Sequence, residues 1–368
     1  MILRPYQSRS VEFLQPRSRG FVKAPAGSGK TIIGANAVAR KIQPGQKCSW
    51  LANTHEQVEQ AIAALSGTEG PQDVRFEIRC AAGSPDVSDA DILVIDECHH
   101  LMAPTWLASA SAACGIVWGL SATPWSTDPE RDAALVEFFG GMENFIEIPR
   151  EEVMAGGSLA KGLVFMYDLD VQGQFDDEIG ERVVIEVARR CRQFWSIPKF
   201  EHERRATWQI TQEFVQQNRV RNAHACHTIR TAVEAGKSVL TLVGSIVHGM
   251  EIAEQVPGSV VAHSKMGIKA RRAAIAGFRD GSLKSMIATS LADEGLDCPI
   301  ASELVLLAGG RSAAKIEQRS GRVMRPHGDK EFGIVHDYLD RGAKFAYAQA
   351  IARQKTYSNL GYEIQRIK

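Results

Sequence analysis

Residues 24–31 read Ala-Pro-Ala-Gly-Ser-Gly-Lys-Thr and lie between a strand-like run, residues 20–24, and a helix-like stretch, residues 31–42. Nothing else in the chain limits the fold so tightly. Gly27 and Gly29 allow the backbone to turn so that successive N–H groups face phosphate oxygens. The helix that follows adds its positive end. In such a cradle Ala26, Gly27, Ser28 and Gly29 line the phosphates, Lys30 reaches the β- and γ-phosphates, and the Thr31 hydroxyl holds Mg2+. The general pattern opens on Gly, where this chain has Ala24.

Strand-like runs at residues 20–24, 48–52, 74–79, 91–96 and 115–120 alternate with helix-like stretches such as 31–42 and 55–65. A second series begins near Ser238, with runs at 239–243, 259–262, 285–288, 303–307 and 332–337. Alternation of this kind implies mostly parallel sheets covered on both faces. The expected fold is therefore α/β, with two tandem lobes, one over residues 1–149 and one over 150–368. The second begins with a linker broken at Gly156-Gly157, a strand-like piece at 162–171 and long polar helices packed on it. Phe194 and Trp195 in that stretch read as helix packing.

Ile92-Leu-Val-Ile-Asp96-Glu97 is a buried strand ending in two acids. A parallel strand delivers its C-terminal residues into the ligand crevice. Asp96 is placed to hold Mg2+, and Glu97 to take a proton from an attacking water.

The chain has 368 residues, 44% hydrophobic and 23% charged, with no apolar run long enough to span a bilayer. Met1–Ser10 has no apolar core and is no secretory signal, so a cytoplasmic protein is expected. Seven cysteines form no C-x-x-C pair, and His224, Cys226 and His227 fit no common metal-ligand spacing. Residues 1–150 carry 13 Lys and Arg against 17 acids, and the rest 30 against 26. That asymmetry permits a backbone-binding surface on the second half without requiring one.

Asp96-Glu97-Cys98-His99 is a DExH box, and the chain resembles superfamily 2 helicases in a series of ordered motifs. Leu3-Arg4-Pro-Tyr-Gln7 resembles the adenine-reading segment. Ala52-Asn53-Thr54 resembles the first DNA-contact motif, which more often shows Pro-Thr. Ser121-Ala-Thr123-Pro matches the motif linking hydrolysis to strand movement, and His99 bridges towards it. Residues 289–297, with Asp293-Glu-Gly-Leu-Asp297, match the fifth motif, and Gln318-Arg-Ser-Gly-Arg322-Val-Met-Arg325 the sixth. Between Leu65 and Asp91 the family's further strand-contact motifs are thin.

The resemblance implies two RecA-like lobes with ATP and Mg2+ in the cleft between them. It implies Gln318 as a sensor of the γ-phosphate, Arg322 and Arg325 as arginine fingers, and Gly295 and Asp297 near the ribose. Asn53, Thr54, Ser245, Lys265 and Thr289 are the implied grips on nucleic acid. Arg271 and Arg272 read equally as further grips or as a solvated helix face. Contacts to the phosphate backbone would be independent of sequence. The compact length, the Glu294-Gly-Leu-Asp297 motif and the ending Val335-His-Asp-Tyr-Leu-Asp340 resemble bacterial or phage DNA helicases of the repair and recombination kind, with DNA expected over RNA and a monomer over an oligomer. An RNA helicase, an ATP-gated clamp and a motor subunit that needs a protein partner remain alternatives.

Overall fold

The computed structural model describes residues 2–71, 73–80, 86–113, 115–126, 128–170, 175–193, 198–289, 298–328 and 330–368. The chain divides into two compact units, Met1–Leu159 and Ala160–Lys368.

The first unit runs α1 (Pro5–Leu14), β1 (Arg19–Lys23), α2 (Lys30–Lys41), β2 (Lys47–Ala52), α3 (His55–Ser66), β3 (Arg75–Cys80), β4 (Ile92–Asp96), α4 (Pro104–Ala112), β5 (Ile116–Ser121), α5 (Pro129–Phe138), β6 (Phe145–Glu147) and α6 (Arg150–Ala155). Its six strands form one sheet in the order β3-β2-β4-β5-β1-β6, and every pairing is parallel. Every residue of β4 is buried, as expected of a continuous apolar run in a sheet covered on both faces. Trp50 and Trp118 are wholly buried, and the Trp118 indole donates to the Arg17 carbonyl. α2 approaches the sheet closely at Gly34, where a Cβ would come within 2.7 Å of the Trp50 ring.

The second unit runs β7 (Lys161–Asp170), α7 (Phe175–Gln193), α8 (Lys199–Gln217), α9 (Arg219–Glu234), β8 (Val239–Leu242), α10 (Ile246–Gln255), β9 (Val260–Ala262), α11 (Ile268–Asp280), β10 (Ser285–Ala288), β11 (Glu303–Leu306), α12 (Ala313–Gly321), β12 (Phe332–Arg341), α13 (Lys344–Asn359) and β13 (Glu363–Ile367). Seven parallel strands lie in the order β13-β7-β12-β11-β8-β10-β9. β7 is no linker strand. It runs in register with β12 from Lys161↔Phe332 to Arg341↔Asp170, and β13 closes its other side. Two buried ion pairs stiffen this sheet: Arg353 with Asp337, at 2.8 Å, and Arg221 with Asp340, at 2.9 Å.

The division falls after Leu159 rather than after residue 149. Residues 150–158 are tied to α1, through the ion pair of Arg9 with Glu152 and the contact of Tyr6 with Ser158. Phe194 and Trp195 lie outside the described residues. Among the described residues no helix is long and apolar enough to cross a membrane.

Candidate nucleotide site

Parallel pairing carries the C-terminal ends of β1, β2, β4 and β5 to one edge of the first sheet, where register sets Lys23 beside Ser121 and Asp96 beside Leu120. The phosphate loop leaves that edge after β1. Gly27 and Gly29 have φ of +86° and +81°, the left-handed region that glycine alone adopts without strain. Gly29 caps α2, so the loop ends at a helix N-terminus. A Cβ on Gly29 would come within 2.6 Å of Gln7 Nε2.

Gln7 is buried and accepts from the Arg4 N–H at 3.0 Å while donating to the Ser28 carbonyl at 3.0 Å. The expected adenine reader thus braces the phosphate loop in this structure. Lys30 is 9% exposed. The Thr31 hydroxyl donates to Asp96 Oδ2 at 3.4 Å, which brings the two expected Mg2+ ligands together.

Glu97 adopts a left-handed conformation, φ +50° and ψ +47°, an uncommon state for a residue other than glycine. That conformation follows the last residue of β4. Burial, then the charge of Glu97, push the Asp96 carboxyl up to about 6. Burial also acts to raise Glu97, but Lys30 and His99 outweigh it and hold Glu97 down to about 2. The His99 ring reaches both sides: Nδ1 is 3.3 Å from Glu97 Oε2 and 3.2 Å from Ser121 Oγ. Ser121 Oγ in turn accepts from the Thr123 N–H at 3.2 Å. His99, Ser121 and Thr123 thus form one chain of contacts that starts at Glu97.

Two buried polar atoms here, Ser28 Oγ and Thr123 Oγ1, have no hydrogen-bond partner among the described residues. Buried polar atoms are ordinarily satisfied, so orphans around a glycine-rich loop fit a site built to be completed by a ligand. A Thr hydroxyl and a carboxylate are hard oxygen donors, the type that suits Mg2+.

Asn53 and Thr54 follow β2. Thr54 caps α3 reciprocally with Gln57: its hydroxyl accepts from the Gln57 N–H, and Gln57 Oε1 accepts from the Thr54 and Asn53 N–H groups. In the second unit Ser245 caps α10 and donates to Gln216 at 2.6 Å. Lys265 is exposed, and Thr289 is half-buried just past β10. Gln318 is half-buried on α12, Arg322 caps its C-terminus and is buried, and Arg325 is half-buried shortly beyond. Burial, then the nearby Arg279 charge, lower the Arg325 guanidinium to about 10. Gly295 and Asp297 lie outside the described residues.

Sequence reasoning missed Arg131. From α5 it donates to the His99 carbonyl, so the turn after Asp96 and Glu97 is held by a helix that follows the Ser121-Ala-Thr123 segment. It missed Ser158 too. Tyr6 lay inside a motif it did single out.

Residues 1–80 match the family described as type III restriction enzyme, res subunit, and residues 224–327 match the helicase conserved C-terminal domain. The two matched regions fall in chain order, one on each parallel-sheet unit. Among curated relatives, putative helicase 22 of Sulfolobus islandicus filamentous virus is 28% identical over 69% of this chain and 43% of its own length. The DNA 3'-5' helicase XPB of Kineococcus radiotolerans is 23% identical over 98% of this chain and 63% of its own. The chain thus spans 43% and 63% of the length of these two relatives. Among solved structures, the Pyrococcus furiosus Hef helicase domain superposes with a TM-score of 0.56 at 15% identity, covering 96% of this chain and 98% of that one. Yeast Dbp5 bound to RNA and ADP BeF3 superposes at 0.64 and 15%, covering 99% and 89%. At these identities the likeness concerns the fold.

Proposed function

We propose that this chain is an ATP-driven DNA helicase or translocase of the DExH type, from a bacterial or phage setting and acting in the cytoplasm. One observation carries the reading: the Thr31 hydroxyl and Asp96 meet at 3.4 Å beside Glu97, on a glycine-rich loop that ends in Lys30. ATP is the substrate. Lys30 neutralises the β- and γ-phosphates, and Thr31 and Asp96 would hold Mg2+. When bound, Mg2+ supplies charge neutralisation on the phosphate oxygens. Glu97 receives the proton of the attacking water. Lys30 holds its carboxyl low, and engagement of Lys30 by phosphate lifts that restraint, moving Glu97 towards a useful base. Arg4 and Gln7 are the candidates for reading the base, Gln7 while also bracing the phosphate loop. By the resemblance, Gln318 would sense the γ-phosphate and Arg322 and Arg325 would act as arginine fingers. Asn53, Thr54, Ser245, Lys265 and Thr289 grip the nucleic-acid backbone. His99, Ser121 and Thr123 couple hydrolysis to that grip.

DNA is favoured over RNA by the relatives named as DNA 3'-5' helicases. The deciding experiment measures ATP turnover with single-stranded, duplex and forked DNA and with RNA of matched length. DNA must stimulate turnover, and stronger stimulation by RNA would replace DNA as the substrate.

A further inference from the structure

α1 is held from two sides. The Tyr6 hydroxyl lies 2.9 Å from the Ser28 carbonyl of the phosphate loop and 2.7 Å from the Ser158 hydroxyl. Tyr6 and Ser158 are 1% and 3% exposed. A carbonyl only accepts, so the Tyr6 proton goes to Ser28 and the Ser158 hydroxyl donates to Tyr6. The result is a directed chain from Ser158 through Tyr6 to the Ser28 carbonyl, each bond polarising the next. One turn along the same helix, Arg9 makes a two-pronged ion pair with Glu152 of α6. After α6 the chain turns at Gly156-Gly157, where Gly157 has φ +67°, and the Ser158 N–H donates back to the Val153 carbonyl. The first unit ends one residue later, at Leu159.

The target of this chain matters. The Ser28 carbonyl and the Gly29 N–H belong to one planar trans peptide and point in opposite directions. Drawing the carbonyl towards α1 aims the Gly29 N–H away from it. Gln7 donates to the same carbonyl, so two side chains of α1 fix one peptide of the phosphate loop.

We propose that Ser158 is a positioning residue of the nucleotide site: acting through Tyr6, it sets the Ser28–Gly29 peptide. The segment by which the chain leaves its first unit is thereby part of the phosphate cradle. By reciprocity, nucleotide bound in the cradle stiffens that segment. This rests on the nucleotide-site reading given above.

The test is binding of MgADP, by calorimetry, to the full chain and to Ser158→Ala, Ser158→Thr, Tyr6→Phe and the Ser158→Ala/Tyr6→Phe double variant. Loss of one such hydrogen bond weakens binding about two- to tenfold. Ser158→Ala and Tyr6→Phe should each do so, the double variant should bind no more weakly than Tyr6→Phe, and Ser158→Thr should bind like wild type. Amide exchange over residues 153–160 should slow with MgADP in wild type and not in Ser158→Ala. Wild-type affinity in Ser158→Ala, or additive losses in the double variant, would overturn the proposal. A loss in Ser158→Thr as large as in Ser158→Ala would do the same, marking a packing effect. Should Tyr6→Phe not fold, the Ser158→Ala and Ser158→Thr pair decides alone. Absence of binding by wild type is a different failure: it removes the nucleotide site itself.

Discussion

The Thr31 hydroxyl stands 3.4 Å from Asp96 Oδ2, joining the first turn of α2 to the end of β4 across 65 positions of sequence. The strands behind them impose this meeting. β1, which feeds the phosphate loop, is separated from β4 by β5 alone, and all three end at the same edge. Lys30 lies one residue before Thr31 and Glu97 one after Asp96, so the four candidate groups lie close together.

Lys30→Ala should abolish ATP turnover. The side chain is nearly buried and its charge acts on both acids. No other lysine lies in the loop from Ala24 to Thr31. Steady-state phosphate release decides this. Turnover within tenfold of wild type would show that another group neutralises the phosphates.

Asp96→Asn should inactivate the protein yet stabilise it without nucleotide. The folded state raises this carboxyl from 3.8 to about 6, chiefly by burial, so the charged form is disfavoured there. A raised acid costs stability once it ionises. The penalty is absent below the unfolded value, grows between pH 4 and 6, and is complete above 6. The amide removes it, a gain of about 1–3 kcal/mol at pH 7 to 8. Melting temperatures across pH should therefore show a gain that shrinks as pH falls from 6 towards 4. A gain independent of pH would sink this account.

Glu97→Gln should still bind ATP and nucleic acid while turning over slowly, because only the proton acceptor is lost. A general base contributes about 10²- to 10⁴-fold. Single-turnover hydrolysis beside equilibrium nucleotide binding separates the two effects. Normal turnover would take Glu97 out of the base role.

What the sequence discloses follows from how far apart the interacting residues lie. The phosphate loop and the acid-ended strand are local patterns, each carried by a few consecutive residues and an apolar run. β7 resembles any short strand in sequence, and its place between β12 and β13 depends on partners around Phe332 and Glu363. β13 has little chance of discovery: Glu363-Ile-Gln-Arg-Ile367 is an exposed edge with a single half-buried residue and no apolar run. Ser158 gives no signal either, since one serine after two glycines reads as a turn. Its contact with Tyr6 spans 152 positions. Gln7 is the instructive case. Its place near the loop was legible, but its hold on the Ser28 carbonyl depends on how α1 packs.

Arg322→Ala should leave nucleotide affinity within a few-fold of wild type while slowing hydrolysis by about 10³ or more, the scale of an arginine finger. Arg322 is 6% exposed at the end of α12, so the check must include a melting curve. Loss of affinity with unchanged turnover at saturation would contradict the assignment.

Arg353→Ala should destabilise the second unit far more than a surface substitution would. Asp337 is wholly buried, and its carboxylate is held by two guanidinium bonds at 2.8 Å and the Tyr357 hydroxyl at 2.9 Å. The same guanidinium donates to the Gly310 and Tyr338 carbonyls, tying α13 to β12 and to the loop before α12. Removing the arginine strands a buried charge and two backbone acceptors, at a cost of about 3–5 kcal/mol. Asp337→Asn/Arg353→Met removes both charges and should recover much of that loss, because the desolvation penalty goes with them. Calorimetric melting of the three proteins gives the answer. A double variant no more stable than Arg353→Ala would mean that the backbone bonds, not the ion pair, hold this corner of the sheet.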